Sequence, residues 1–80
     1  MTPICSFIKA PYEYTLMPYA RGTHTMTGYV LEEEGVCIER RPLNPKTGKP
    51  WQASRLHAKF LGDSAKYAGL RAMLKIRNSK

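Results

Sequence analysis

The sequence has no long hydrophobic run and no recognisable export signal. A transmembrane helix would need about 18 consecutive apolar residues, and no such stretch occurs in the chain. Residues 1–20 include Lys9 and Glu13 among their apolar positions, which does not fit the charged start and continuous apolar segment of a secretory signal. With a mass of 9.1 kDa, we expect residues 1–80 to form one small domain, located in the cytoplasm.

Cysteines, metal ligands and catalytic motifs are also scarce. Cys5 and Cys37 allow at most one disulfide, too few for a disulfide-dependent miniprotein, so we expect two reduced thiols. These cysteines and the two histidines, His24 and His57, are scattered and do not have zinc-binding spacing. A glycine-rich phosphate loop and a paired acid and base are missing as well. The sequence therefore predicts no metal, no cofactor and no enzymatic activity.

Acidic residues are nearly absent from the second half of the chain. Residues 40–80 contain eleven lysines and arginines against Asp63 alone, whereas residues 1–39 contain two basic and five acidic residues. The two halves thus carry net charges of +10 and −3, which together give the overall +7. Such asymmetry predicts a polyanionic partner, with nucleic acid favoured over an anionic membrane surface. The alternative is that the charge only keeps a small protein soluble.

Alternation of side-chain types with a period of two is frequent and indicates β-strands. Residues 1–11 are predicted to be an irregular lead-in, and residues 12–61 an antiparallel sheet of three to four strands. In the first of them Tyr12, Tyr14 and Leu16 share one face. The expected strands are residues 12–19, 23–32, 36–43 and 51–61.

Glycine marks the two turns expected between these strands. The first turn is Ala20-Arg21-Gly22, and the second is a tight hairpin at Glu33-Glu34-Gly35, in which Gly35 would take a positive φ. The second turn would place its glutamates at an exposed tip.

Helix and strand compete for residues 51–61, and the strand pattern is the more regular. It aligns Arg55, His57 and Lys59 on one exposed face. The last element is a helix over residues 64–77, begun by an Asp63 or Ser64 side chain that accepts a hydrogen bond from the first amides. The predicted fold is α+β, a small antiparallel sheet packed against one C-terminal helix.

Residues 36–77 carry motifs in the order strand, loop, strand, helix. The motifs are Val36-Cys37-Ile38-Glu39-Arg40-Arg41, Asn44-Pro45-Lys46-Thr47-Gly48-Lys49, Lys59-Phe60-Leu61-Gly62-Asp63 and Ala65-Lys66-Tyr67-Ala68-Gly69-Leu70. This half of the chain resembles the small sheet-plus-helix DNA-binding domains of the AP2 family and of the arm-binding regions of tyrosine integrases. It departs from them by the insertion of Pro42 and Leu43 and by the absence of a catalytic domain.

The resemblance implies that the exposed sheet face enters the DNA major groove, a mode that suits a β-ribbon and arginine contacts to guanine. The nucleic-acid-binding residues it implies are Arg40, Arg41, Arg55, His57 and Lys59, with Lys46 and Lys49 contacting phosphate. The expected function is a non-enzymatic accessory or regulatory factor that binds nucleic acid, duplex DNA rather than RNA. Small basic chains of this kind are typical of phages and mobile elements.

A protein-binding module is the main alternative. The acidic hairpin tip, or an edge strand formed by residues 12–19, would dock on a larger host protein. The apolar helix stripe Tyr67, Leu70 and Leu74 would instead form a homodimer. Trp51 also has two interpretations, because a lone tryptophan belongs to the core more often than it stacks on a base.

Overall fold

The computed structural model describes residues 2–79 and contains a four-stranded antiparallel sheet with one helix packed on it. In chain order the elements are β1 (Cys5–Lys9), β2 (Tyr12–Thr25), β3 (Gly28–Pro42), β4 (Arg55–Leu61) and α1 (Ala65–Asn78). The strands lie side by side in the same order, β1-β2-β3-β4. The predicted α+β fold, with its single C-terminal helix, is confirmed.

The core lies between α1 and the two central strands. Leu16 of β2 and Ile38 of β3 are completely buried, and Met73 of α1 packs in the same cluster. Gly69 allows the helix to approach the sheet, because a Cβ at this position would lie 2.7 Å from the Val36 Cγ2 atom. Helical spacing predicts one stripe that contains the small residues Ala65, Gly69 and Ala72, and this stripe contacts the sheet.

The predicted irregular lead-in is wrong for residues 5–9, which form the edge strand β1. This strand pairs antiparallel with β2, with Cys5 opposite Leu16 and Phe7 opposite Tyr14. Cys5 and Phe7 both pack against the core, so alternation does exist here. Five residues are too short for that alternation to stand out in the sequence.

Both predicted turns, at residues 20–22 and 33–35, are also wrong. The two segments lie inside β2 and β3, which form one long hairpin whose tip is Met26-Thr27. The glycine with a positive φ at this tip is Gly28, at 138°, and Gly35 is not in that conformation. The glutamates therefore lie along a strand and not at a tip.

Close contacts explain why glycine occupies these strand positions. A Cβ on Gly22 would lie 2.6 Å from the Tyr29 ring, beside a bulge between Arg21 and Gly22. A Cβ on Gly35 would lie 2.9 Å from the Leu61 Cα atom of the neighbouring strand. Glycine inside a strand often marks a bulge or a close backbone approach, and here it marks both.

Residues 20–34 extend beyond the rest of the sheet, and we call them the hairpin arm. β1 flanks β2 only as far as Leu16, and β4 flanks β3 only from Gly35 onward. The molecule is consequently elongated, with extents of 49 × 25 × 17 Å. Four large apolar side chains of the arm are exposed: Met26, Tyr29, Val30 and Leu31.

The helix has the predicted extent but a different start. Ser64 is the N-cap residue, yet neither capping bond predicted from Asp63 or Ser64 forms through a side chain; the Ala65 amide instead donates to the Gly62 carbonyl at 3.1 Å. The other end is held by Lys9, whose Nζ donates to the Ile76 carbonyl at 2.6 Å. No helix within residues 2–79 has the length and apolarity needed to cross a membrane.

Candidate nucleic-acid interface

Strand register assigns each side chain to one of two sheet faces. Directly paired residues point to the same face, and successive residues alternate. Leu16 and Ile38 are paired under α1 and define the helix-covered face, whereas the pair Met17 and Cys37 defines the open face. Arg40 and Arg41 are neighbours in sequence and therefore point to opposite faces.

On the open face, carboxylates outnumber cations. The Glu33 carboxylate lies 3.3 Å from Arg21 Nε and 3.8 Å from Lys59 Nζ. Lys59 also lies over the Tyr19 ring, 5.4 Å from its centroid. By register, the charged residues of this face are Arg21, Arg41 and Lys59 together with Glu13, Glu33 and Glu39. Glu32, at the bulge, also reaches this face, because its carboxylate lies 3.6 Å from Arg21 Nη2. A face without excess positive charge has little electrostatic attraction for a polyanion.

A bulge in β4 separates three basic side chains that alternation predicted to share a face. Ala58 pairs with Ile38, but Leu56 pairs with Glu39, so His57 is the extra residue. Lys59 therefore belongs to the open face, whereas Arg55 is paired with Arg40 on the helix-covered face. The prediction that Arg55, His57 and Lys59 point the same way is wrong.

The basic side chains that do come together lie on the helix-covered side, beside the C-terminal end of α1. We call Arg40, Arg55, His57 and Lys75 the basic end. Two tyrosines support it: the Arg40 guanidinium lies 4.3 Å above the Tyr12 ring, and His57 meets the Tyr14 ring edge-on with centroids 5.6 Å apart. Aromatic faces hold a guanidinium in place without neutralising its charge.

A cavity of about 290 Å³ separates His57 of β4 from Lys75 of α1. Its wall includes the Ser79 hydroxyl, and its floor is apolar, with Ile38 and Ile76 among the lining residues. The sheet carboxylates nearest in sequence to the basic end, Glu13 and Glu39, belong to the open face. The basic end thus combines cations, a hydroxyl group and aromatic rings with no acidic side chain among the cavity-lining residues that the structure describes.

Lys46 and Lys49 lie in the exposed loop that joins β3 to β4. The loop is closed by a bridge between Leu43 and Pro50, and the Asn44 amide donates to the Lys49 carbonyl at 2.8 Å. Because the loop connects Pro42 to Arg55, its base lies next to the basic end. Both lysines are exposed, and their contact with phosphate stays a prediction.

Trp51 is half exposed, so its assignment to the core is wrong. Its amide donates to the Pro42 carbonyl at 3.0 Å, which fixes the residue at the base of the loop. The alternative interpretation, stacking on a base, remains a prediction.

The sequence alone does not identify Lys75, Tyr12 or Tyr14 as binding residues. Lys75 lies late in the helix, where a basic residue is already favoured by the negative helix end, so its position gives no separate signal of binding. Only the pairing of β2 with β3 brings Tyr14 opposite Arg40. That pairing depends on the position of the hairpin tip at Met26-Thr27. The sequence predicts other turns, because Gly22 and Gly35 resemble turn residues.

The two cysteines are free thiols on opposite faces of the sheet. Burial, and secondarily the Glu39 carboxylate, raises the pKa of the Cys37 thiol above its ordinary value. A raised pKa lowers the fraction of reactive thiolate, so Cys37 is a poor nucleophile. Within residues 2–79, histidines, cysteines and carboxylates form no group of three that could hold a metal ion.

Comparison with family models, curated proteins and solved structures finds no match to this chain.

Proposed function

We propose that the protein is a non-enzymatic nucleic-acid-binding factor that contacts phosphates through the basic end and the lysines of the β3–β4 loop. Duplex DNA is the favoured ligand, because its two strands present about one negative charge per 1.7 Å of helix axis to a surface whose cations come from several elements. An accessory or regulatory role, of the kind found in phages and mobile elements, fits a binding protein without catalytic groups.

The observation that carries this proposal is the lack of internal neutralisation. Among the residues that the structure describes, neither Arg40, Arg55 nor Lys75 forms an ion pair with a carboxylate. All three ion pairs found there involve Glu32 or Glu33 instead. Unpaired cations can release counterions from a bound polyanion, which is the main source of non-specific affinity.

The site proposed here differs from the one that the AP2 resemblance implies. That resemblance assigns the groove to the open face, which by register offers Arg41 and Lys59. The basic end offers Arg40 and Arg55 on the other face. The seven residues predicted from the sequence would then divide into a binding group of Arg40, Lys46, Lys49, Arg55 and His57, and an open-face pair of Arg41 and Lys59.

A salt-dependent titration tests this function. The five lysines and arginines of the proposed surface are Arg40, Lys46, Lys49, Arg55 and Lys75. At about −0.9 per phosphate contact, log affinity for duplex DNA should fall against log salt with a slope of about −4.5. Binding weaker than about 10⁻⁴ M to all nucleic acids at physiological salt would contradict the proposal, because non-specific association is ordinarily at least that strong.

Exposed apolar side chains favour protein binding as a second candidate function. The helix stripe is open, with Tyr67 64%, Leu70 40% and Leu74 49% exposed, and the Arg71 guanidinium lies 5.7 Å from the Tyr67 centroid. This stripe remains the candidate homodimer surface. Two other docking predictions are wrong, because β2 is an inner strand and no glutamate occupies the hairpin tip. Sedimentation equilibrium of the wild type and of Leu74→Glu tests the dimer, which the substitution should dissociate.

A further inference from the structure

We propose that a groove formed around Trp51 binds an unpaired nucleobase, so that the preferred nucleic acid contains a single-stranded segment next to its duplex. This inference rests on the proposed function and names the form of nucleic acid that the same surface would take. It depends on the shape, rigidity and chemistry of the groove.

The groove has a volume of about 810 Å³, within the range of about 300–1,000 Å³ that is usual for small-molecule sites. Pro42 and Pro50 belong to its apolar lining together with Trp51, which is 50% exposed. Gln52, Ser54 and Arg55 supply the polar part of the lining. An exposed indole beside a guanidinium fits a planar, aromatic and anionic ligand.

The groove is fixed by backbone contacts at both sides. The Trp51 amide donates to the Pro42 carbonyl at 3.0 Å, and Leu43 bridges to Pro50. Proline has a restricted φ, which further reduces the freedom of Pro42 and Pro50. The Trp51 backbone is therefore held by a closed loop, which reduces the backbone entropy that would be lost when a ligand stacks on the exposed indole.

The polar groups of the groove match the parts of a nucleotide. Arg55 belongs to the basic end and can contact the phosphate, while the Gln52 amide offers both donors and an acceptor to a base edge. The lining residues that the structure describes include no carboxylate; Glu39 accepts a hydrogen bond from Ser54 at 3.5 Å from the open face. A proline-rich peptide could also contact an indole between prolines, but it would leave Arg55 and the loop lysines without anionic partners.

Trp51 is the only tryptophan in the chain, so its intrinsic fluorescence reports on this groove alone. The probes are a blunt DNA duplex, the same duplex with a short 3′ thymidine tail, the tail alone, and a proline-rich peptide. The tailed duplex should quench Trp51 fluorescence and bind about 5- to 150-fold tighter than the blunt duplex for each stacked base. The blunt duplex should bind with little quenching.

Trp51→Leu should abolish the preference for the tail and leave the blunt-duplex affinity unchanged, whereas Trp51→Phe should retain part of the preference. Far-UV circular dichroism checks that both variants fold. Equal binding of tailed and blunt duplex with unchanged fluorescence would overturn the inference while leaving the proposed function intact. Quenching by the peptide and not by the tail would overturn it in favour of a peptide groove. Failure of both duplexes to bind would remove the proposed function and this inference together.

Discussion

The long β2–β3 hairpin has two halves that differ in burial and in the pairing of their charges. In the body, Leu16 and Ile38 are completely buried beneath α1. In the hairpin arm, Val30 and Leu31 occupy strand positions just as apolar but remain about half exposed. Alternation in a sequence therefore predicts that a strand forms, while the burial of its apolar face depends on whether another element packs against it.

The two ends of the hairpin also differ in how their charged side chains are paired. The glutamates Glu32 and Glu33 are paired with Arg21, and Glu33 also with Lys59, so this side of the hairpin neutralises itself. At the other end Arg40 rests on the Tyr12 ring without a carboxylate partner among the described residues. Self-neutralised charge contributes little to binding, whereas unpaired charge is available to an external partner.

The largest difference between the two halves should appear in how much a substitution lowers the free energy of unfolding. Ile38→Ala leaves a cavity in the core and should lower the free energy of unfolding by about 2–5 kcal/mol. Val30→Ala in the hairpin arm should lower it by no more than about 0.5 kcal/mol, because the side chain is already exposed. Urea unfolding followed by circular dichroism measures both.

Ile38→Val is the milder companion to this pair, with an expected loss of about 0.5–1.5 kcal/mol. It keeps the comparison measurable if Ile38→Ala is mostly unfolded. Equal losses for the core and arm substitutions would show that the arm packs as tightly as the body, contrary to this account.

A smaller effect is expected at Lys9, which ties the edge strand to the end of the helix. Its Nζ donates to the Ile76 carbonyl at 2.6 Å and to the Ser79 hydroxyl at 2.8 Å. Lys9→Met keeps most of the side-chain length but removes these charged donors, at a cost of about 1–2 kcal/mol. Amide hydrogen exchange should rise first in the last turn of α1. Unchanged exchange there would show that Lys9 does not cap the helix.

The two thiols should differ in how fast they are alkylated. Because burial raises the pKa of Cys37, alkylation by iodoacetamide at neutral pH should be faster at the partly exposed Cys5. Between the ordinary thiol pKa and the raised pKa of folded Cys37, the unfolded protein ionises this thiol while the folded protein keeps it protonated. The free energy of unfolding should therefore fall as pH rises through this interval. Mass spectrometry of timed samples identifies the modified residue, and faster labelling of Cys37 would contradict its burial.

How far the sequence predicts this structure can be seen at particular residues. The helix over residues 64–77 was recognisable because its small and long side chains follow a helical period, and the structure has it at Ala65–Asn78. The strand boundaries were predicted wrongly at Gly22 and Gly35. A sequence does not distinguish a glycine that is required by a close neighbouring ring or backbone from a glycine in a turn. The β1 strand was missed because it is short.

The candidate site was predictable by composition and not by geometry. The excess of cations after Arg40 is visible in the sequence, but the β4 bulge at His57 is set by pairing with β3 and has no local signal. A single extra residue moves every following side chain to the other face, which separates Arg55 from Lys59. Tyr12, Tyr14 and Lys75 also become neighbours of the basic end only after folding, through the pairing of β2 with β3 and the packing of α1 on the sheet.

The most direct test of the account removes two positive charges from one sheet face or from the other. Arg40→Gln with Arg55→Gln changes the basic end, Arg41→Gln with Lys59→Gln changes the open face, and the net charge of the two variants is identical. Anisotropy titrations of labelled duplex DNA between low and physiological salt should give the first variant a slope smaller by about 1.8, with about tenfold weaker binding per lost contact near 0.1 M salt. The second variant should keep the wild-type slope. The opposite result, a normal slope for the basic-end variant and a reduced slope for the open-face variant, would contradict binding at the basic end and support the major-groove mode that the AP2 resemblance implies.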